Sequence, residues 1–254
     1  MAIAAAASYL GHSTIRLDLD GIRLLTDPVL RSRIGPLVRQ GPPVPAESYA
    51  GIDVVLVSHL HHDHLDLPSL RRIPGRPLLV VPRGAAGLLR RGAWEVVELE
   101  PGEVVELGAI RVEATQASHN GDRSPVGPRA PALGFVVDDG RRRIYFAGDT
   151  DLFPGMAEIA GIDVALLPVG GWGPTLGAGH LDPQRAARAA ALIRPRLAVP
   201  IHWGTFWPQG LSRVRPHLLT GPAASFLELA SELAPGVRIS PSAPGDDVDL
   251  RAIR

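Results

Sequence analysis

The stretch Val57-Ser58-His59-Leu60-His61-His62-Asp63-His64 constrains this chain more than any other, because four of its nine histidines fall within six positions with an aspartate among them. Directly upstream, residues 53–57 (DVVLV) form a β-branched apolar run that predicts a buried strand. The cluster therefore starts where a central strand ends, at the edge of an α/β sheet where ligands bind. Strand alternation turns His59 and His61 to one side, and Asp63 and His64 reach the same space as the chain turns into a helix. Imidazole and carboxylate are ligands for a borderline cation such as zinc. A lone histidine in a core is ordinarily just hydrogen-bonded. That bland alternative would here leave several titratable groups beside an apolar strand without partners, which is costly.

The first half of the chain reads as strands in hairpins. Residues 14–19 alternate as a half-buried strand, Asp20-Gly21 is a turn signal, and residues 22–26 return. Residues 78–81 and 95–99 predict further strands with a short helix between them over 84–91. Hairpins are expected around Gly108 (103–107 with 110–116) and around Asp138-Asp139-Gly140 (133–137 with 143–147). The second half alternates instead: strands at 163–167 and 197–201, and helices over 183–194 and 222–233, the former with Asp182 as N-cap and Pro183 in its first turn. Residues 28–50, rich in Pro, Gly and Arg, predict a long loop that is functional or poorly ordered, with Arg31, Arg33 and Arg39 either facing a site or solvated. The segment from Pro241 predicts a frayed tail ending in a short strand. No repeat or linker interrupts the chain, so one domain over residues 1–254 is expected.

Composition removes whole classes of chemistry. Lys+Arg and Asp+Glu number 26 each, so bulk charge draws the chain neither to nucleic acid nor to an anionic membrane. Every one of the 26 cations is arginine, which excludes a Schiff-base lysine and a phosphate-loop lysine. The absence of cysteine excludes disulfides, a thiol nucleophile and thiolate zinc sites. The apolar start lacks a preceding basic region and no run reaches the length of a membrane span, so the expected home is the cytoplasm.

His-x-His-x-Asp-His, here His59, His61, Asp63 and His64, resembles the signature of the metallo-β-lactamase fold superfamily. The resemblance implies an α/β (α+β) fold, a four-layer αββα sandwich of two mixed sheets flanked by helices, with three more ligands at strand ends. His119 follows the 110–116 strand, Asp149 stands in Phe146-Ala147-Gly148-Asp149-Thr150, and His202 follows the 197–201 strand. By the family pattern His59, His61 and His119 hold one metal, Asp63, His64 and His202 a second, and Asp149 bridges them. Two zinc ions per chain are implied, with manganese or iron(II) as alternatives. Asp27, in Thr26-Asp27-Pro28, resembles the family's buried aspartate that orients a ligating histidine, against a turn-capping alternative, and His12 is a candidate to join it. His62 is expected to face away and His217 to be structural or exposed.

Gly148-Asp149-Thr150, His180-Leu181-Asp182-Pro183 and Ile201-His202-Trp203-Gly204-Thr205-Phe206 are together similar to the branch of N-acyl-phosphatidylethanolamine-hydrolysing phospholipase D, and at several points to ascorbate-6-phosphate lactonase. That resemblance implies a hydrolase in which a metal-bridging hydroxide attacks a phosphodiester, or an ester or lactone, so that the implied partner is a small-molecule substrate. It places Asp63 and His180 in catalysis, His180 as an acid or oxyanion-stabilising group. The 28–50 loop and Gly170-Gly171-Trp172-Gly173-Pro174 are expected to shape the pocket, and Trp172, Trp203, Phe206 and Trp207 either line it or pack the core. Three rivals stand beside this reading. Iron oxidoreductases of the same fold usually carry Glu where this chain has His61, RNA-cleaving members bring an inserted domain, and a non-catalytic metal binder generally lacks part of the ligand set. True β-lactamases of this fold often use a cysteine ligand, from which this chain departs.

Overall fold

A computed structural model describes residues 5–173 and 175–250, so the expectations placed on residues 1–4 and on Pro174 lie outside the described residues. Asp20 and Gly21 adopt φ of 45° and 86°, as a two-residue primed turn requires, and join Thr14–Leu19 to Ile22–Thr26 with Leu19 opposite Ile22. From this hairpin outward the chain builds two seven-stranded sheets. In spatial order the first runs Asp247–Val248, Ala6–Gly11, Thr14–Leu19, Ile22–Thr26, Val54–Leu56, Leu78–Pro82 and Glu95–Leu99. The second runs Arg238–Ile239, Leu197–Ile201, Val164–Pro168, Arg143–Phe146, Leu133–Asp138, Ile110–Gln116 and Val104–Leu107. Each is antiparallel where hairpins connect its strands and parallel where longer crossovers do.

Leu17, Leu24, Leu56 and Val80 of the first sheet meet Val112, Phe135, Phe146 and Leu166 of the second in one buried core. The outer face of the second sheet, with Ala165, Leu167 and Ala198, is covered by the helices Pro183–Ile193 and His217–Leu233. Alanines at 186, 187, 190 and 230 let those helices lie close. Over the first sheet, Val55, Val57, Leu79 and Val81 are covered by Leu60, Leu65, Leu70, Ile73 and Leu89, which come from loops and two four-residue helices, Leu67–Leu70 and Ala86–Leu89. The αββα layering is therefore present, with one outer layer thinner than the other.

Three local expectations need correction. Within residues 28–50, Arg33–Ile34 and Leu37–Arg39 pair with each other, and Leu37–Arg39 pairs on with Phe206–Pro208. Strands of two and three residues are too short to show alternation. The last helix begins at His217 and runs through Pro222, which costs the bond to the Leu218 carbonyl, because Ala223, Phe226 and Ala230 are packed against the rest of the fold. The tail is not frayed: Asp247–Val248 pairs with Ala7 and Ser8, and the Tyr9 N–H donates to the Asp246 carbonyl at 2.8 Å. Among the described residues no helix is long and apolar enough to cross a membrane.

The parallel pairings bring the strand ends Gly11, Thr26 and Leu56 of the first sheet to one edge, and Gln116, Phe146, Pro168 and Ile201 of the second to the facing edge. Every segment that follows these ends carries a residue singled out by its type.

Candidate metal centre

His59, His61, Asp63, His64, His119, Asp149 and His202 come together at that edge, with His180 beside them. Close approach is possible only because small residues precede the ligand loops. Gly148 has φ +61°, and a Cβ there would lie 2.6 Å from the Ser58 Cβ; Gly179, at φ +82°, would bring one within 2.9 Å of His119 Nδ1. Three of the five non-glycine residues with positive φ among the described residues, His12, Asp27 and His202, belong to this edge, so backbone strain is concentrated at the site.

Hydrogen bonds fix which nitrogen each imidazole turns inward. Nδ1 of His119 lies 2.8 Å from the Gly179 carbonyl, and Nδ1 of His202 lies 2.9 Å from the Gly170 carbonyl. Nδ1 of His64 lies 2.7 Å from Asp27 Oδ2. Those partners only accept, so Nδ1 donates in each case. The Ser58 hydroxyl donates to Asp27 Oδ2 at 2.5 Å and so accepts from His59 Nδ1 at 2.9 Å. Four imidazoles thus present Nε2 to the same space. There His59 Nε2 and His119 Nε2 stand 2.9 and 3.2 Å from His61 Nδ1, and His64 Nε2 stands 3.2 Å from His202 Nε2. Asp149 reaches the second pair, with Oδ2 at 3.3 Å from His64 Nε2 and Oδ1 at 3.3 Å from His202 Nε2. Asp63 Oδ2 is 3.7 and 4.0 Å from the same two nitrogens. Asp149 Oδ1 is buried without a hydrogen-bond donor.

Nitrogen lone pairs facing one another beside an orphaned carboxylate oxygen repel unless a proton or a cation stands between them. The donor set is one that a borderline divalent cation takes.

The charge states agree. Burial pushes His59 well below the ordinary imidazole value, takes His119 down to about 4 and His202 to about 3, and lowers His61. Burial opposes charge on Asp63 and Asp149, yet His64 beside the first and His202 and His64 beside the second hold both carboxyls well below their usual range. On His64 burial is outweighed by Asp149, Asp63 and Asp27, which raise it well above the ordinary value. Three carboxylates around one imidazole create a local demand for positive charge.

His180 is half-buried, its Nε2 3.5 Å from Asp149 Oδ2 and its Nδ1 3.2 Å from the Gly177 carbonyl. Burial disfavours its charge, but the hydrogen bond to Asp149 prevails and raises its pKa. A cavity of about 560 Å³ opens over the site. Its polar end is formed by His61, Asp63, Asp149 and His180, with Arg31 and Arg123 at the side, and its apolar wall by Ile34, Pro36, Leu37 and Trp172. Arg31 is held by Asp66 through two bonds of 2.6 and 2.9 Å, and Arg123 by the Leu60 and Leu65 carbonyls at 2.7 Å each.

Other sequence expectations sort out as follows. Asp27 does orient His64, and through Ser58 it also reaches His59. His62 is exposed and lies 2.7 Å from Arg123 rather than in the cluster, and His217 is exposed at the start of its helix. Arg31 faces the cavity, whereas Arg39 is buried against the Leu10 and Val29 carbonyls and over the Phe206 ring, and Arg33 is exposed on Gln209. Of the four aromatic residues only Trp172 lines the cavity; Phe206 and Trp207 are buried and Trp203 packs against the core. Sequence reasoning associates His12 with Asp27, but its Nε2 lies 3.0 Å from Asp63 Oδ2. Arg123 carries no signature in the sequence, since a single arginine in a polar loop gives no signal of a site.

Comparison with known proteins fits this geometry. A metal-dependent hydrolase of Opitutus terrae is 35% identical over 240 residues, which cover 91% of this chain and 98% of that one. The N-acyl-phosphatidylethanolamine-hydrolyzing phospholipase D 1 of Caenorhabditis elegans is 34% identical over 232 residues, 80% of this chain and 65% of that one. The solved structure of a metallo hydrolase from Ignicoccus hospitalis superposes with a TM-score of 0.71 over 96% of this chain and 97% of that one, at 24% identity, a likeness of fold. Residues 22–203, which hold every residue of the cluster but His12, match the family described as the beta-lactamase superfamily domain, and the chain belongs to that family.

Proposed function

We propose that this chain is a metal-dependent hydrolase whose single domain holds two zinc ions, one on His59, His61 and His119 and one on Asp63, His64 and His202, with Asp149 between them. The observation that carries the reading is the convergence of inward-turned nitrogens, His59 Nε2 on His61 Nδ1 at 2.9 Å and His64 Nε2 on His202 Nε2 at 3.2 Å, around the unpartnered Asp149 Oδ1. When bound there, the cations supply Lewis acidity and lower the pKa of a coordinated water from 15.7 to roughly 7, so that no side-chain nucleophile is needed.

The protein's own groups do the rest. Asp63, which reaches both His64 and His202 and also lines the cavity, orients the attacking water. His180, on the cavity side of Asp149, gives a proton to the departing alkoxide. Arg31, anchored by Asp66, and Arg123, anchored by the Leu60 and Leu65 carbonyls and by His62, offer their remaining donors for an anionic group next to the reacting centre. The two arginines favour a phosphodiester over a neutral ester or lactone, and the apolar wall of Ile34, Leu37 and Trp172 suits a substrate with an apolar substituent. The nematode relative, named for hydrolysing N-acyl-phosphatidylethanolamine, supports the same class.

The test is hydrolysis of bis-p-nitrophenyl phosphate and of a small lactone by the zinc-loaded chain. Chelator-sensitive turnover of the diester, exceeding that of the lactone, is expected. Turnover of the lactone alone would replace the phosphodiester, and turnover of neither would remove the hydrolase.

A further inference from the structure

His12 is the buried titratable residue at the site that the proposed function leaves without a task. It is 2% exposed, and it sits in the turn between Ala6–Gly11 and Thr14–Leu19, not on any of the ligand loops. Its Nε2 stands 3.0 Å from Asp63 Oδ2, the oxygen that lies 3.7 Å from His64 Nε2 and 4.0 Å from His202 Nε2. A carboxylate only accepts, so His12 donates from Nε2. The turn is held hard in place. The His12 N–H donates to Thr205 Oγ1 at 2.7 Å, its carbonyl accepts from the His202 N–H at 2.7 Å, and its ring lies 3.9 Å from the His202 ring. Its backbone is left-handed, φ +57°, a conformation that costs free energy for a residue with a side chain and persists only where the surroundings enforce it. Gly11 allows the approach: at φ +108°, a Cβ there would come within 2.9 Å of Thr205 Oγ1 and 3.0 Å of Arg39 Nη1.

We infer that His12 is a positioning residue for the second cation site: its Nε2–H fixes the Asp63 carboxylate toward His64 and His202, and thereby sets that site's affinity independently of the first. The inference rests on the two-cation reading above. His12 touches none of His59, His61 or His119 through a hydrogen bond among the described residues, so its removal leaves the first site as it was. His12 offers a ring nitrogen within 4.8 Å of donor atoms of Asp63, His64 and His202, but with its Nε2 proton on Asp63 it acts through the carboxylate and not as a ligand.

The test is titration of the full-length apo chain with zinc against a chelating dye, for the wild type, His12→Phe and His12→Gln, with cobalt(II) absorption as a second readout. Glutamine places an amide N–H near the same oxygen, whereas phenylalanine fills the volume without a donor. The wild type is expected to take up two equivalents. His12→Phe should bind the first with unchanged affinity, which also reports that it is folded, and the second about 10–100-fold more weakly, with loss of the matching share of the cobalt spectrum. His12→Gln should recover the second to within a few-fold. A His12→Phe protein that binds both equivalents as the wild type does overturns the inference. So does loss of both equivalents together, which marks a structural role, or a His12→Gln protein as impaired as His12→Phe, which marks His12 as a ligand. A wild type that binds fewer than two equivalents overturns the two-cation reading itself.

Discussion

The two halves of the histidine cluster are built from the same side chain and differ in burial and in the carboxylates packed against it. On one side His59, His61 and His119 meet with no carboxylate of their own, and His61 and His119 are only half-buried. On the other, His64 and His202 are sealed from solvent at 0% and 1% exposure, with Asp63, Asp27 and Asp149 packed about them. In the first half burial is the largest influence, with Asp149 opposing it and neighbouring imidazoles adding to it; in the second, carboxylates override burial at His64. The open half therefore suits exchange with a substrate, and the closed half suits a cation held by charge. Asp149 belongs to both because it follows a strand at the centre of the second sheet, facing the His59 loop across the gap between the sheets.

The largest effect is expected where the open half meets substrate. His180→Ala should lower kcat by about 10²–10⁴-fold with zinc content unchanged, since its side chain contacts Asp149 at 3.5 Å without completing either group of nitrogens. The loss should be greatest for diesters with poor leaving groups and shrink for p-nitrophenolate, which departs without a proton. An equal loss for both leaving groups would assign His180 to oxyanion stabilisation instead.

Asp27→Asn addresses the contrast from below. Asp27 accepts from His64 and from Ser58, and Ser58 in turn accepts from His59, so one carboxylate underlies both halves. Asparagine tolerates the left-handed φ of 32° but cannot serve both donors as an acceptor. Zinc affinity should fall at both sites, by about 10–100-fold at the His64 site and less at the His59 site. Titration that shows loss at only one site would separate the halves more completely than the hydrogen bonds suggest. The smallest effect is expected on the apolar wall: Trp172, 45% exposed, should on change to alanine raise KM a few-fold for substrates with an apolar substituent, roughly 1 kcal/mol, and leave kcat unchanged.

Much of this was readable in the chain. His59, His61, Asp63 and His64 declare themselves by density, and His119, Asp149 and His202 by standing just after runs that read as strands and are strands. Side-chain type and strand endings are local properties. What could not be read depends on partners distant in sequence. The pairing of Leu37–Arg39 with Phe206–Pro208 builds the apolar wall from segments some 170 residues apart, too short to show a period. The Gly221-Pro222 pair reads as a helix breaker, and only packing against the second sheet's helical layer carries the helix through it. His12 reaches Asp63 because two turns are pinned together through Thr205, which no spacing announces.

The most direct test of the central claim is the zinc content per chain of purified, dialysed protein by elemental analysis, beside an Asp149→Ala control. The account predicts about two equivalents in the wild type. It predicts about one or fewer in the control, because Asp149 contacts His64, His202 and His180 at the junction of the halves. A wild-type chain that takes up no zinc even when zinc is supplied would contradict it, and the hydrolase reading would fall with it.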